Sequence, residues 1–126
     1  KADILPGLIR KSSENDDGND RKIEKGSLIF SVYEYSEGFL RFRFANGLDE
    51  NKSVKMDVSI SRYGKDGPEE IFRSESKNVI QLTAGYIEES SVRLKDIRLE
   101  EGRYVLKISE YKTEFEIGIN KKKERL

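Results

Sequence analysis

The stretch Ile97 to Ile119, IRLEEGRYVLKISEYKTEFEIGI, decides how the rest of the chain is read. Tyr104, Leu106 and Ile108 alternate with Arg103, Lys107 and Ser109, and Phe115, Ile117 and Ile119 alternate with Glu114 and Glu116. A period of two is that of a strand with one buried face. Two such strands separated by a short polar link make a hairpin, and if their apolar sets share a face, the link has an even number of residues. That leaves a two-residue link, Glu110-Tyr111, or a four-residue link running through Thr113. Either register sets Lys107 opposite a glutamate, Glu114 or Glu116. An exposed pair of this kind contributes only about 0.2 to 1 kcal/mol. Burial of the Tyr, Leu, Ile and Phe side chains is therefore what holds the hairpin together.

Upstream, Leu28, Phe30 and Val32 and then Leu40, Phe42 and Phe44 repeat the pattern on either side of Ser36-Glu37-Gly38. A three-residue loop ending in Gly suits a type I turn whose last residue is left-handed. It pairs Val32 with Phe42 and Phe30 with Phe44, and on the other face it sets Tyr33 beside Arg41 and Ser31 beside Arg43. The run Val54, Met56, Val58, Ile60 alternates with Lys55, Asp57, Ser59, Ser61 as one long half-buried strand. Tyr63 to Pro68 is a turn by composition. Short strands are expected around Glu70 to Arg73, Val79 to Leu82 and Ser90 to Leu94. Seven or eight short strands divided by turn signals, with no helix of length, give an all-β antiparallel sandwich of two sheets.

The approach to the last hairpin carries a resemblance. Leu99, Gly102, Tyr104, Leu106 and Ile108, in the frame L-x-x-G-x-Y-x-L-x-I, are similar to the corner before the penultimate strand of immunoglobulin-like and fibronectin type III-like sandwiches. The resemblance implies that the Tyr104 hydroxyl bonds back to backbone a few residues upstream. Leu106 stands where antibody domains have Cys, and the chain has no Cys and no Trp, so their disulfide and buried tryptophan are absent. What is implied is an immunoglobulin-like layout, not a function.

The length of 126 residues suits one domain with a single core. Charged residues make up 38% of the chain and hydrophobic ones 35%, but the latter are gathered into periodic segments, which favours folding over disorder. Residues 1–26 read as a leader and 27–120 as the β domain. The leader combines the apolar Ile4, Leu5, Leu8 and Ile9 with a polar SSENDDGNDRK run. Residues 121–126 form a basic tail. With 24 basic and 24 acidic residues, there is no chain-wide footprint for nucleic acid. No apolar run approaches the roughly 18 residues that span a bilayer.

No Cys means no disulfide and no thiolate chemistry, and no His removes the side chain best suited to acid-base work near neutrality and the commonest metal ligand. Ser and Thr lack a His partner, the carboxylates lie on strand faces or in turns, and no Gly-rich phosphate loop follows a strand. The expectation is a non-enzyme without cofactor.

One metal frame is present: Ser13, Asn15, Asp17, Gly18 and Glu24 fall at positions 1, 3, 5, 6 and 12 of a calcium-loop spacing. It lacks the first carboxylate and has Asp20 where such loops place an apolar residue, and a solvated acidic linker accounts for the same residues. That leaves Asn15, Asp17 and Glu24 as a weak metal candidate.

Tyr33, Tyr35, Phe39, Arg41 and Arg43 form the candidate binding surface, because aromatic and Arg side chains anchor interfaces. The competing explanation is that Tyr and Arg cover each other's stems, or that the leader covers this face. The function expected is a protein-interaction or accessory module with a protein partner, without nucleic acid or small-molecule ligand. The start at Lys1 and the polar leader favour an extracytoplasmic or cell-surface setting over a cytoplasmic one. A proteinase inhibitor presenting Asn46 to Ser53 or Gly64 to Pro68, a cytoplasmic adaptor and a carbohydrate-binding module are the alternatives.

Overall fold

The computed structural model describes residues 23–118, in which Leu40, Phe42, Phe44, Val58, Ile60, Leu106 and Ile108 are buried as the alternation placed them, while Arg43, Ala45 and Asn46 are buried as well. Nine strands follow in order: β1 (Leu28–Ser36), β2 (Phe39–Asn46), β3 (Lys52–Lys55), β4 (Val58–Gly64), β5 (Gly67–Ser74), β6 (Val79–Leu82), β7 (Ile87–Arg93), β8 (Gly102–Ile108) and β9 (Tyr111–Ile117). There is no helix among them. All pairings are antiparallel, in a three-stranded sheet β1-β2-β7, a four-stranded sheet β5-β4-β8-β9 and a two-stranded ribbon β3-β6.

One continuous core joins the two larger sheets. Leu40, Phe42 and Phe44 of β2 cluster with Val58 and Ile60 of β4 and with Tyr104, Leu106 and Ile108 of β8. Phe44 stacks on Phe30 at 4.4 Å within its own sheet and meets Tyr111 of the other sheet edge-on at 5.5 Å. Each such side chain contributes about 1.5 to 3 kcal/mol by leaving water. The result is a β-sandwich-like arrangement of two layers.

The first hairpin keeps the pairs Phe30 with Phe44 and Val32 with Phe42, but by a different route. The turn has two residues, Glu37 (φ 50°) and Gly38 (φ 81°), both left-handed as a type I′ turn requires. A two-residue loop alone would set Tyr33 against Phe42 and turn the apolar faces apart. The two-residue turn thus sets Arg41 against Glu34 rather than Tyr33, and a bulge between Val32 and Glu34 then restores the phase of the apolar pairs.

The last hairpin also turns over two residues, one position earlier than the alternation suggested: Ser109-Glu110 instead of Glu110-Tyr111. Tyr111 is drawn into β9 by its contact with Phe44. Ser109 takes φ 57°, held there by its N–H to the Asp57 carbonyl (2.9 Å) and its hydroxyl to the Lys55 carbonyl (2.8 Å). Lys107 therefore faces Lys112, not a glutamate, and it is Arg103 that meets Glu116, at 3.6 Å.

The run from Val54 to Ser61 is not one strand. The Asp57 N–H donates to the Lys55 carbonyl two residues back (2.8 Å), a γ-turn centred on Met56 that ends β3 and starts β4. β3 pairs with β6 while β4 joins β5 and β8, so the chain changes sheets at this kink. This division raises the strand number from eight to nine.

The corner before β8 is stapled by two tyrosines. The Tyr104 hydroxyl donates to the Glu100 carbonyl at 2.5 Å, and the Tyr35 hydroxyl accepts from the Leu99 N–H at 3.0 Å. At the other end, buried Asn46 donates to the Glu50 and Leu82 carbonyls and accepts from the Leu48 N–H. Gly47 lies so close to the Glu24 carbonyl that a Cβ there would sit 1.9 Å from its oxygen. Leader residues before 23, Ile119 of the expected last strand and the tail at 121–126 lie outside the described residues.

Tyr104→Phe removes one buried hydrogen bond without opening a cavity, and is expected to lower unfolding free energy by about 1 kcal/mol, measured by urea titration. Lys112→Glu replaces a like-charged facing pair by an opposite one. It is expected to stabilise by about 0.2 to 1 kcal/mol, seen as a higher urea midpoint at unchanged slope.

Candidate functional site

On β2, Phe39, Arg41 and Arg43 alternate with the core residues and so face away from the sandwich interior. Across from them β1 supplies Ser36, Glu34 and Ser31, and β7 supplies Arg93, Ser91 and Glu89. The face divides into two groups with different chemistry.

The first is a buried ion pair. Arg43 Nε lies 2.9 Å from Glu89 Oε2, with side-chain exposures of 1% and 7%. The Arg43 guanidinium covers the Tyr33 ring at 3.9 Å, and the Tyr33 hydroxyl points to Glu89 Oε1 at 3.4 Å. Arg43 Nη2 and the hydroxyl of the facing Ser31 are buried and have no hydrogen-bond partner among the described residues. Burial, reinforced by the negative charge of Glu89, pushes the Tyr33 hydroxyl up to about 12.

Removing one partner of a buried pair leaves an uncompensated charge, a loss of about 3 to 5 kcal/mol. Charge reversal at Arg43 therefore tests folding before it tests binding. Reversal there places a second carboxylate against Glu89.

The second group is accessible. Two guanidinium groups lie over the Phe39 ring, Arg41 at 5.3 Å and Arg93 at 5.7 Å from its centroid. Arg41 also reaches Glu34 at 3.4 Å, both about a third exposed. The short left-handed turn at Glu37-Gly38 holds the start of β2, and the Gly38 carbonyl accepts from the Leu94 N–H at 2.7 Å. Phe39 is thus presented from a stiff support.

Tyr35 does not belong to this surface. Because the bulge turns both Tyr33 and Glu34 outward, Tyr35 faces inward against the core, with its hydroxyl engaged by Leu99. Arg93 and Glu89 are the members that sequence reasoning missed. They alternate with Ser90 and Val92 on a strand whose weak pattern gave no hint that it lies beside β2.

Of the calcium frame, Asn15 and Asp17, with Ser13 and Gly18, lie outside the described residues. Glu24 is exposed, and its carbonyl accepts from the Ser27 N–H in a turn. Among the described residues no group of three or more acidic side chains is placed to hold a metal ion, and no helix is long and apolar enough to cross a membrane.

Comparison with known proteins finds no family model, no curated protein and no solved structure that matches the chain.

The raised Tyr33 value has a consequence for stability. A hydroxyl that titrates near 10 when unfolded and near 12 when folded favours the native state below pH 10, and this contribution fades as pH rises from 10 to 12. Thermal melts from pH 9 to 12 are expected to show a drop for the parent chain that is shallower in Tyr33→Phe, with the two chains closely matched at pH 7.

Proposed function

We propose that this chain is a non-enzymatic interaction module, fibronectin type III-like or immunoglobulin-like in layout, working within an extracytoplasmic or cell-surface protein or assembly. The layout is supported by the Tyr104 hydroxyl reaching back to the Glu100 carbonyl at the start of the strand before last, the bond that marks a tyrosine corner. It is supported too by a chain that passes between the two larger antiparallel sheets by way of β3, by way of β6, and directly from β7 to β8.

The observation that carries the functional reading is the Phe39 ring with Arg41 and Arg93 over it on a rigid turn. An aromatic ring with guanidinium neighbours offers a large contact area at little conformational loss, and such side chains dominate the energetics of interfaces. The module works by contact, its partner presenting an apolar socket rimmed by carboxylates to meet the two arginines.

The test uses Phe39→Ala and the double variant Arg41→Glu with Arg93→Glu, compared with the parent for capture of a partner from an envelope extract of the source organism. Both variants are expected to weaken partner binding at least tenfold, about 1.4 kcal/mol. The melting temperature should move little, because among the described residues the one ion pair disrupted is Arg41 with Glu34, long at 3.4 Å and about a third exposed. Undiminished binding by both variants would move the contact surface elsewhere.

A further inference from the structure

The opposite face of the sandwich carries a second surface. On the outer side of β5-β4-β8-β9 the registers bring Arg73, Ser59, Lys107 and Lys112 into one row across all four strands. Glu70, Ser61, Val105 and Glu114 make the next row; beyond it Tyr63 faces Pro68 and Arg103 faces Glu116, with the Arg103 guanidinium over the Tyr63 ring at 5.9 Å. Small Ser59, Ser61 and Val105 side chains between taller neighbours leave a groove of about 400 Å³, which Tyr63, Pro68, Lys107, Lys112 and Glu114 help to line.

The charges on this face are unevenly satisfied. Arg73 holds Glu70 in a double hydrogen bond at 3.0 and 2.8 Å, which keeps the Glu70 carboxyl below its ordinary value, and Arg103 pairs with Glu116. Glu114 is engaged by the Tyr63 hydroxyl at 3.0 Å. Lys107 and Lys112, facing one another, have no carboxylate within 4.0 Å among the described residues. Like charges directly opposite on a sheet destabilise it. This pair lies at one end of a groove whose floor offers two serine hydroxyls and whose other end offers the Tyr63 ring beside Pro68.

We propose that this groove binds a carboxylate-bearing saccharide chain, of the polyuronate class. Lys107 and Lys112 take the carboxylate, Ser59 and Ser61 meet ring hydroxyls, and Tyr63 with Pro68 forms the flat apolar seat for the carbon face of a neighbouring ring. From Ser59 to Tyr63 the groove runs about 13 Å at roughly 3.3 Å per residue, the reach of a short oligosaccharide.

Other polyanions fit less well. The face carries four basic residues (Arg73, Arg103, Lys107, Lys112) and three acidic ones (Glu70, Glu114, Glu116). That suits a chain with one carboxylate per ring better than a duplex with a charge every 1.7 Å or so. An extended peptide would dock most readily by adding a strand. The β5 edge resists this, because Pro68 lacks an N–H, and the register shift opposite Ile60 and Ser61 leaves Ile71 as a bulge. The far edge of the sheet, at β9, adjoins β1.

The test is titration of the isotope-labelled chain with an oligogalacturonate, and with the same oligomer methyl-esterified to remove its charge while keeping its rings. Saturable amide shifts confined to residues 59–63, 105–107 and 112–114 are expected for the acid form. The ester and the Lys112→Glu variant should each bind at least tenfold more weakly, and Tyr63→Ala should also weaken binding. Lys112→Glu relieves a like-charge contact, so its loss of binding is not a loss of folding, and its melt serves as the control. Absence of saturable shifts with oligogalacturonate, undiminished binding by Lys112→Glu, or equal binding of polyglutamate or a DNA oligonucleotide would overturn the proposal.

Discussion

The shared core between β2 and β8 is the constraint on which the rest of the molecule depends. Phe42 and Phe44 from one layer and Leu106 and Ile108 from the other are all at or below 1% exposure. Losing any one of them to the solvent side of its sheet forfeits about 1.5 to 3 kcal/mol. Since side chains alternate at every residue, a hairpin that slips by one position turns its whole apolar set outward. The preference of one short turn over another is far smaller than that loss, so the turns and bulges adapt to the core.

Both terminal hairpins show this. At Glu37-Gly38 the chain adopts the favoured two-residue turn, whose parity is wrong for the core, and an extra residue at Tyr33 corrects it. At Ser109-Glu110 a non-glycine residue accepts a left-handed backbone so that Tyr111 reaches Phe44. The apolar face of each strand was legible in the sequence because alternation is local, as were the pairs Phe30 with Phe44 and Val32 with Phe42 and the back-bond of Tyr104, whereas the pairs of the last hairpin were not. The devices that deliver those pairs were not. A bulge and a shifted turn leave the periodic pattern almost unchanged, and only contacts made elsewhere choose among them.

Sheet order was hidden for a related reason. Nothing in Val54 to Ser61 marks where one strand ends, because Met56 keeps the apolar phase through the kink. The kink exists because β3 pairs with β6, some 25 residues away, and β4 with β8, nearly 50 away. Arg43 illustrates the effect on the candidate surface. As a sequence position it is indistinguishable from Arg41, yet β7 sets Glu89 against it and Tyr33 over it. One arginine becomes structural and its neighbour two residues away stays available.

The same logic bears on why the binding surfaces proposed above lie on the faces of the two larger sheets and not at the β5 edge. Free strand edges invite pairing with any other strand, and the β5 edge is blunted by Pro68, the flanking Glu69 and Glu70, the Ile71 bulge and Arg73. Selectivity is then left to side chains projecting from sheets, where register fixes their spacing. On one face that spacing puts two guanidinium groups over an aromatic ring. On the other it sets two lysines side by side above a serine-lined floor. A core of about a dozen buried apolar residues shared by the sheets tolerates one mismatched surface pair of about 0.2 to 1 kcal/mol. It is the excess of core burial over such local mismatches that leaves these outer positions free to differ from what folding alone would select.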